Sequence, residues 1–299
     1  MTETAIRDHT HTPTVRAAID QILVVALGSP ADTAAGTCAA LIAREQNAAL
    51  AILRVVPVPP PATDTWALMP DVTYAECVAD ALARGHGYCD ALRELVKAQG
   101  VTATVRVTEA LGVASAAIAA REARRAADLV VMGRPSAMAA ERRLAYTHFG
   151  TLLVESGRPV LVVPPDFKPG TAPARRILVA WKNSPQAVRA VNDALPLLSR
   201  AERVELLLVD PTPSALDHAG EFGARIAAHL ERHGVTCSVS VERSRGRSIG
   251  WSILDRASHS RAQLIVAGGY GHSRLHAWAL GGSTRTLFRN ASVPVFFSH

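Results

Sequence analysis

The chain is poor in several features that would fix a function class at once. It holds four cysteines in 299 residues, Cys38, Cys77, Cys89 and Cys237, with no CxxC and a closest spacing of twelve. That excludes a disulfide framework or a CxxC zinc site and predicts reduced, packed thiols. His86 and Cys89 could share a metal, but no second pair follows, so no metal centre is expected. Long apolar runs are also missing. The longest, such as Ala110 to Ala120, fall well short of the roughly 18 residues a membrane helix needs. Residues 1–20 carry Glu3, Arg7, Asp8 and Asp20 without an apolar core, so no signal peptide, no membrane partner and a cytoplasmic location are expected. Catalytic signatures are absent as well: there is no GxSxG, no HExxH and no metal-binding carboxylate constellation. Asp210 and Asp255 are single acids without a supporting spacing. No catalytic residue is named, and the chain reads as a non-enzyme.

What is present points to a folded, two-domain chain. At 48% hydrophobic and 19% charged, the composition excludes intrinsic disorder. The length exceeds one ordinary core, and two domains of about 150 residues are expected. The formal net charge of +6 is unevenly placed. Residues 1–170 hold 16 basic and 17 acidic groups, whereas residues 171–299 hold 16 basic and 9 acidic. The positive charge therefore belongs to the second half.

Self-similarity organises the chain. Gln21-Ile-Leu-Val-Val-Ala-Leu-Gly-Ser-Pro matches Arg176-Ile-Leu-Val-Ala-Trp-Lys-Asn-Ser-Pro at an offset of 155. Asp128-Leu-Val-Val-Met-Gly133 matches Gln263-Leu-Ile-Val-Ala-Gly268 at an offset of 135, and Arg158-Pro-Val-Leu-Val-Val matches Val293-Pro-Val-Phe-Phe at the same 135. The first half thus carries an insertion, placed at Pro57 to Tyr74, where five prolines argue against regular structure. The expected domains are 1–168 and 172–299, joined at Pro164-Pro-Asp-Phe-Lys-Pro-Gly-Thr-Ala-Pro173. In the second half Ile177–Trp181, Glu205–Val209, Val235–Val241, Leu264–Ala267 and Val293–Phe297 read as strands. Val188, Val191, Leu195 and Leu198 read as one helical stripe. Ser184 is an expected N-cap with Pro185 at the first helical position, and Ser29-Pro30 repeats the device. Apolar strands alternating with helices imply two doubly wound, five-stranded parallel α/β domains, Rossmann-like in form. Ligands of such sheets bind beyond the carboxyl ends of the strands where strand order reverses, flanked by the loops after the first and fourth strands.

The loop after the fourth strand of the second half reads Gly268-Gly-Tyr-Gly-His-Ser-Arg-Leu-His-Ala-Trp-Ala-Leu-Gly-Gly-Ser-Thr284. Glycines let backbone N–H groups approach a phosphate closely, and Gly281-Gly282-Ser283-Thr284 opens an apolar helix whose N-terminus attracts anions. The loop is neither a Walker A motif nor a Rossmann dinucleotide fingerprint, since Gly269-x-Gly271-x-x-Arg274 lacks the third glycine and follows the wrong strand. Gly268-x2-Gly271-x9-Gly281 resembles the GxxGx9G(S/T) pattern of the universal stress protein (UspA-like) family. The Ile-Leu-Val-Ala first strand and the Val-Pro-Val last strand resemble it too, and the likeness covers nearly the whole chain as two tandem domains.

That resemblance implies a stress-response or regulatory role, fifth strands paired across an intrachain pseudo-dimer, and room for a further homodimer. It also implies, in members with the full pattern, ATP held with adenine near an Asp after the first strand and phosphates on the glycine loop. Here Lys182 stands at that Asp position and Gly282 where Ser or Thr is expected, with Ser283 one place later. Lys182 can attract phosphate but cannot accept hydrogen bonds from ribose or adenine. The candidate binding residues are Gly268, Gly271, Gly281, Gly282, Ser283, Thr284 and Lys182, with ATP or another anion as ligand of the C-terminal domain only. In the first half Leu27 takes the Asp position, and Ser136, Tyr146 and Thr147 replace Gly271, Gly281 and Gly282. That domain is expected to have lost nucleotide binding. His272 and His276, Tyr270 with Trp278, and Arg274 read as surface or core cover, and Arg243-Ser-Arg-Gly-Arg247 as a solvated cluster opening a helix, so no nucleic-acid partner is expected. The alternatives are an ATP-binding module with slow hydrolysis and an enzyme of the wider adenine-nucleotide hydrolase-like superfold, which lacks a visible catalytic set.

Overall fold

A computed structural model describes residues 18–58, 71–111, 114–135, 139–168, 174–211, 219–269 and 281–299. The first repeat contributes β1 (Gln21–Ala26), α1 (Ala31–Gln46), β2 (Ala49–Val58), α2 (Asp71–Lys97), β3 (Ala103–Leu111), α3 (Ser115–Ala126), β4 (Leu129–Gly133), α4 (Ala139–Glu155) and β5 (Val160–Val163). The second contributes β6 (Arg176–Trp181), α5 (Pro185–Asp193), α6 (Leu195–Leu198), β7 (Arg203–Val209), α7 (Ala219–Arg232), β8 (Cys237–Glu242), α8 (Ile249–His259), β9 (Leu264–Gly268), α9 (Gly282–Asn290) and β10 (Val295–Ser298).

All ten strands form one sheet in the order β3-β2-β1-β4-β5-β10-β9-β6-β7-β8. Each repeat is parallel, with its reversal of strand order between β1 and β4, or β6 and β9. The repeats meet through the antiparallel pair β5–β10, with Val295 opposite Val162, Phe296 opposite Leu161 and Phe297 opposite Val160. The fifth strands pair as the resemblance implies. The pairing hides two apolar edges that would otherwise be templates for aggregation.

Strand residues alternate between two faces, each covered by helices. Ile22, Val24, Val179 and Phe296 join one core with Cys38, Leu92, Val191 and Leu198. Val25, Met132, Ile265 and Phe297 join the other with Phe149, Leu152, Ile253 and Phe288. Both cores run through both repeats. On the second face Phe149 stacks on Phe288 at 4.8 Å between ring centroids and meets Phe297 at 4.9 Å. On the first face Gln46 donates to the Pro196 carbonyl at 3.1 Å and Arg200 to the Glu45 carbonyl at 2.6 Å. These contacts make the seam a packed interior.

Four local expectations need correction. Pro57 and Val58 complete β2 beside Ala110 and Leu111, and Asp71–Tyr74 opens α2, so the proline-rich stretch is partly regular. Pro57 is the penultimate residue of β2, beyond the last residue paired with β1, where a missing N–H donor is tolerated. Much of the extra length is helix, since α2 has 27 residues against 14 for α7. The stripe Val188 to Leu198 is split into α5 and α6, because Pro196 cannot donate within a continuous helix, and Val188 is exposed. Ser184 does cap α5, accepting from the Ala187 N–H at 3.3 Å, but Ser29 caps nothing; α1 starts at Ala31 without a side-chain cap, and Asp32 in its first turn bonds back to the Gly28 and Ser29 N–H groups. Finally, Cys38 and Cys89 are buried free thiols as expected, whereas Cys77 is exposed.

Candidate functional site

Lys182 follows β6 and Gly268 ends β9, and these neighbouring parallel strands bring both to the carboxyl edge of the sheet. α9 runs back antiparallel to the strands between β9 and β10, so its first turn, Gly281 to Thr284, opens at that same edge. The sequence-derived residues therefore share one end of the C-terminal repeat. Gly271 lies outside the described residues, as do Tyr270, His272, Arg274, His276 and Trp278.

Gly281 is the N-cap of α9, and no side-chain hydrogen bond caps the helix. The first N–H groups of a helix have no intrahelical partner, which leaves this turn a donor-rich, positive end. A Cβ on Gly282 would meet nothing within 4 Å among the described residues, and Gly282 is exposed. Thr284 is buried and anchors the turn. Gly268 has a different reason to be glycine: a Cβ there would sit 2.8 Å from the Ala187 nitrogen, at the start of α5. Gly133, its counterpart in the first repeat, is pressed equally hard, with 2.4 Å to the Ala31 carbonyl oxygen. Both glycines serve strand-to-helix packing, and the ligand argument rests on Gly281 to Thr284. A cavity of about 610 Å³ is lined by Asn183, Ser184, Pro185, Val188, Arg189, Asn192 and Asp193, and by none of Gly281 to Thr284. It follows the exposed side of α5 from the loop after β6.

The same edge of the first repeat is built differently. Tyr146 and Thr147, at the positions of Gly281 and Gly282, fall inside α4, which begins at Ala139. Their N–H groups lie within the helical ladder, and the free N–H groups of α4 fall earlier, at its start from Ala139. His148, at the position of Ser283, is buried and bonds the Leu144 carbonyl through Nδ1 at 3.0 Å. Burial, with a smaller contribution from the charge of Arg54, holds its pKa below the usual imidazole range.

Asp32 fills the remaining donors. Its Oδ2 accepts from the N–H groups of Gly28 at 2.7 Å and Ser29 at 3.1 Å and from the Tyr88 hydroxyl at 2.9 Å. The carboxylate sits at the N-terminus of α1 as a resident anion. Burial raises its pKa, opposed by these hydrogen bonds. The Ser29 carbonyl lies 2.8 Å from the same hydroxyl and shares its single proton with Asp32, and the phenol's pKa is raised by burial and by Asp32. The Arg54 guanidinium lies 5.7 Å from the Tyr88 ring centroid and donates to the Ala26 carbonyl at 3.0 Å. It covers Gly28, whose φ of +79° and lack of a Cβ allow that contact. At the corresponding register position the second repeat has Leu208, and Asp32 is replaced by Ala187.

Asp32, Arg54, Tyr88, His148 and Arg134 were not anticipated. The visible signals were an arginine inside the apolar run Ala51-Ile-Leu-Arg-Val-Val56 and an acid three residues after Ser29. Arg134 replaces Gly269 at the end of β4; the two backbone N–H groups bond the fifth strands alike, to Val163 at 2.8 Å and Ser298 at 2.7 Å. Its side chain donates to the carbonyls of Phe288, at 3.3 Å, Arg289 and Ala291, at 2.8 Å, at the end of α9. The Arg243–Arg247 segment precedes α8 rather than opening it, with Ser248 as N-cap. Arg247 pairs with Asp255, and Ser244 donates its N–H to Asp210 at 2.9 Å. Among the described residues, no three His, Cys, Asp or Glu side chains gather as a metal site, and no helix is long and apolar enough to cross a membrane.

These features define a tandem pair of doubly wound α/β domains. Residues 18–164 and 173–299 each match the universal stress protein family, and the chain belongs to it. Its fold is similar to that of a universal stress protein from Archaeoglobus fulgidus DSM 4304, at 16% identity and TM-score 0.70, over 93% of this chain and 96% of that one. It is also similar to a putative universal stress protein from Pseudomonas aeruginosa UCBPP-PA14, at 15% identity and TM-score 0.58, over 95% of each chain. A third similar structure is the functionally unknown protein PA1789 from Pseudomonas aeruginosa PAO1, at 15% identity and TM-score 0.55, over 95% of this chain and 93% of that one. No curated protein matches the chain in sequence.

Proposed function

We propose that the protein is a non-enzymatic cytoplasmic stress-response regulator that takes a phosphate-bearing anion, ATP foremost, in its C-terminal domain alone. The observation that carries the reading is the asymmetry between matched positions. Gly281 and Gly282 open a helix end to solvent in one repeat, while Tyr146 and Thr147 lie within a helix in the other. Asp32 already accepts from the Gly28 and Ser29 N–H groups of the loop before α1 in the first repeat. Lys182 and the excess of basic residues in the second half add attraction for an anion. Lys182 also favours phosphate over the ribose and adenine contacts that a carboxylate would make. The first domain then acts as a built-in partner, in place of a second chain at the fifth strand. A homodimer of whole chains belongs to the same proposal and would have to use another surface.

Calorimetric titration of the full chain with ATP and Mg²⁺ tests the reading. One site per chain supports it; two sites, or none at millimolar ATP, contradict it. The other reading, slow ATP hydrolysis, is separated by measuring released phosphate in the same mixture.

A further inference from the structure

Arg134 gives the first domain a hold on the far end of the helix that carries the candidate site. α9 has nine residues, too few for a stable helix by itself, so its order depends on packing and on what meets its two ends. Its N-terminal end has no side-chain cap. Its C-terminal end is closed by a side chain from the other repeat, since the Arg134 guanidinium spans the carbonyls of Phe288, Arg289 and Ala291. A cation at a helix C-terminus and an anion at its N-terminus each favour the helical state.

We propose that Arg134 is a positioning residue through which the first domain sets the order of α9 and so the anion affinity of Gly281 to Thr284. This rests on the reading of that helix end as the anion site. The residue stands where the second repeat has Gly269, so the position that would border a ligand loop in the first domain holds a clamp on the second. Arg134 is partly buried, with Asp166 the acidic group that acts on its charge. Two effects that stabilise one helix are linked, and the linkage is reciprocal: an anion at Gly282 tightens the clamp, and the clamp tightens the anion.

The test uses the full chain as wild type, Arg134→Met and Arg134→Lys. Hydrogen exchange is followed along α9 without ligand, thermal midpoints are recorded, and affinity for ATP with Mg²⁺ is measured. Expected for Arg134→Met are faster exchange concentrated in α9 and binding about two- to fivefold weaker, with Arg134→Lys between it and wild type. Unchanged affinity in Arg134→Met, with wild type binding, overturns the coupling. Faster exchange spread evenly over the chain also overturns it, because the residue then acts on global stability only. If wild type binds no ATP, the nucleotide reading fails and exchange alone decides: acceleration confined to α9 supports the clamp, and an unchanged profile refutes it.

Discussion

Arg134 Nη2 donates to the Ala291 carbonyl at 2.8 Å, joining the end of β4 to a helix end 157 residues away. The residue stands where the other repeat has Gly269. The same backbone position is thus a closing side chain in one repeat and part of a glycine loop in the other. Gly281 and Gly282 diverge in the same sense, with Tyr146 and Thr147 at their positions in the N-terminal domain.

The shared cores imply that the domains unfold together. Phe149 meets Phe288 and Phe297 from the second domain, so Phe149→Ala should cost about 3–5 kcal/mol. Urea unfolding of wild type followed by circular dichroism and by tryptophan fluorescence should give coincident transitions. Two separated transitions in wild type would contradict the continuous core.

Asp32 gives a test of sign. Its folded pKa is raised above 3.8, so the stability it contributes is greatest below that value and falls as pH rises through the folded pKa. Asp32→Asn removes this decline and should gain on wild type as pH rises from 3.8. The amide oxygen can also keep the bonds from Gly28 and Ser29. Asp32→Ala leaves the Gly28 and Ser29 donors open and should lose about 1–3 kcal/mol at pH 7. Denaturant midpoints across pH 4–8 measure both, and equal behaviour of Asn and Ala would rule out the acceptor role of Asp32 toward Gly28 and Ser29.

His148 works in the opposite direction. Its folded pKa lies below the ordinary 6.5, so its contribution is present above that pH and is lost as pH falls through the folded value. Arg54 on β2 is the charged group that adds to the effect of burial. Wild type should lose stability on acidification below 6.5, with a slope from this group of at most about 1.4 kcal/mol per pH unit. His148→Met should flatten that part of the profile. An unchanged slope in the variant would assign the acid sensitivity elsewhere.

The two kinds of glycine should separate on substitution. Gly133→Ala drives a Cβ to 2.4 Å from the Ala31 carbonyl oxygen and should lower the thermal midpoint markedly. Gly282→Ala enters open space and should leave the midpoint unchanged or slightly raised. A destabilised Gly282→Ala would show that this glycine, too, is a packing residue.

The repeat, the strands and the pairing of fifth strands were legible because apolar β runs in parallel sheets are continuous and recur at fixed offsets. Gly281 and Gly282 at a helix start, and Gly268 pressed against α5, were legible as positions where the backbone favours glycine. The content of the first domain's crevice was not. Asp32 and Tyr88 meet across 56 residues, and Arg134 and Ala291 across 157. No period or spacing encodes such contacts. Pro57 shows the reverse error: a residue that breaks structure on average is harmless at a strand end.

The most direct measurement is calorimetry of the full chain with ATP and Mg²⁺, wild type against Gly282→Ile. The larger side chain finds open space in the fold but covers the first N–H groups of α9. The expected result is one binding site per chain in wild type, lost in Gly282→Ile at an unchanged thermal midpoint. Binding that survives in Gly282→Ile, or wild type that takes up no ATP at millimolar concentration, would contradict a nucleotide site at the head of that helix.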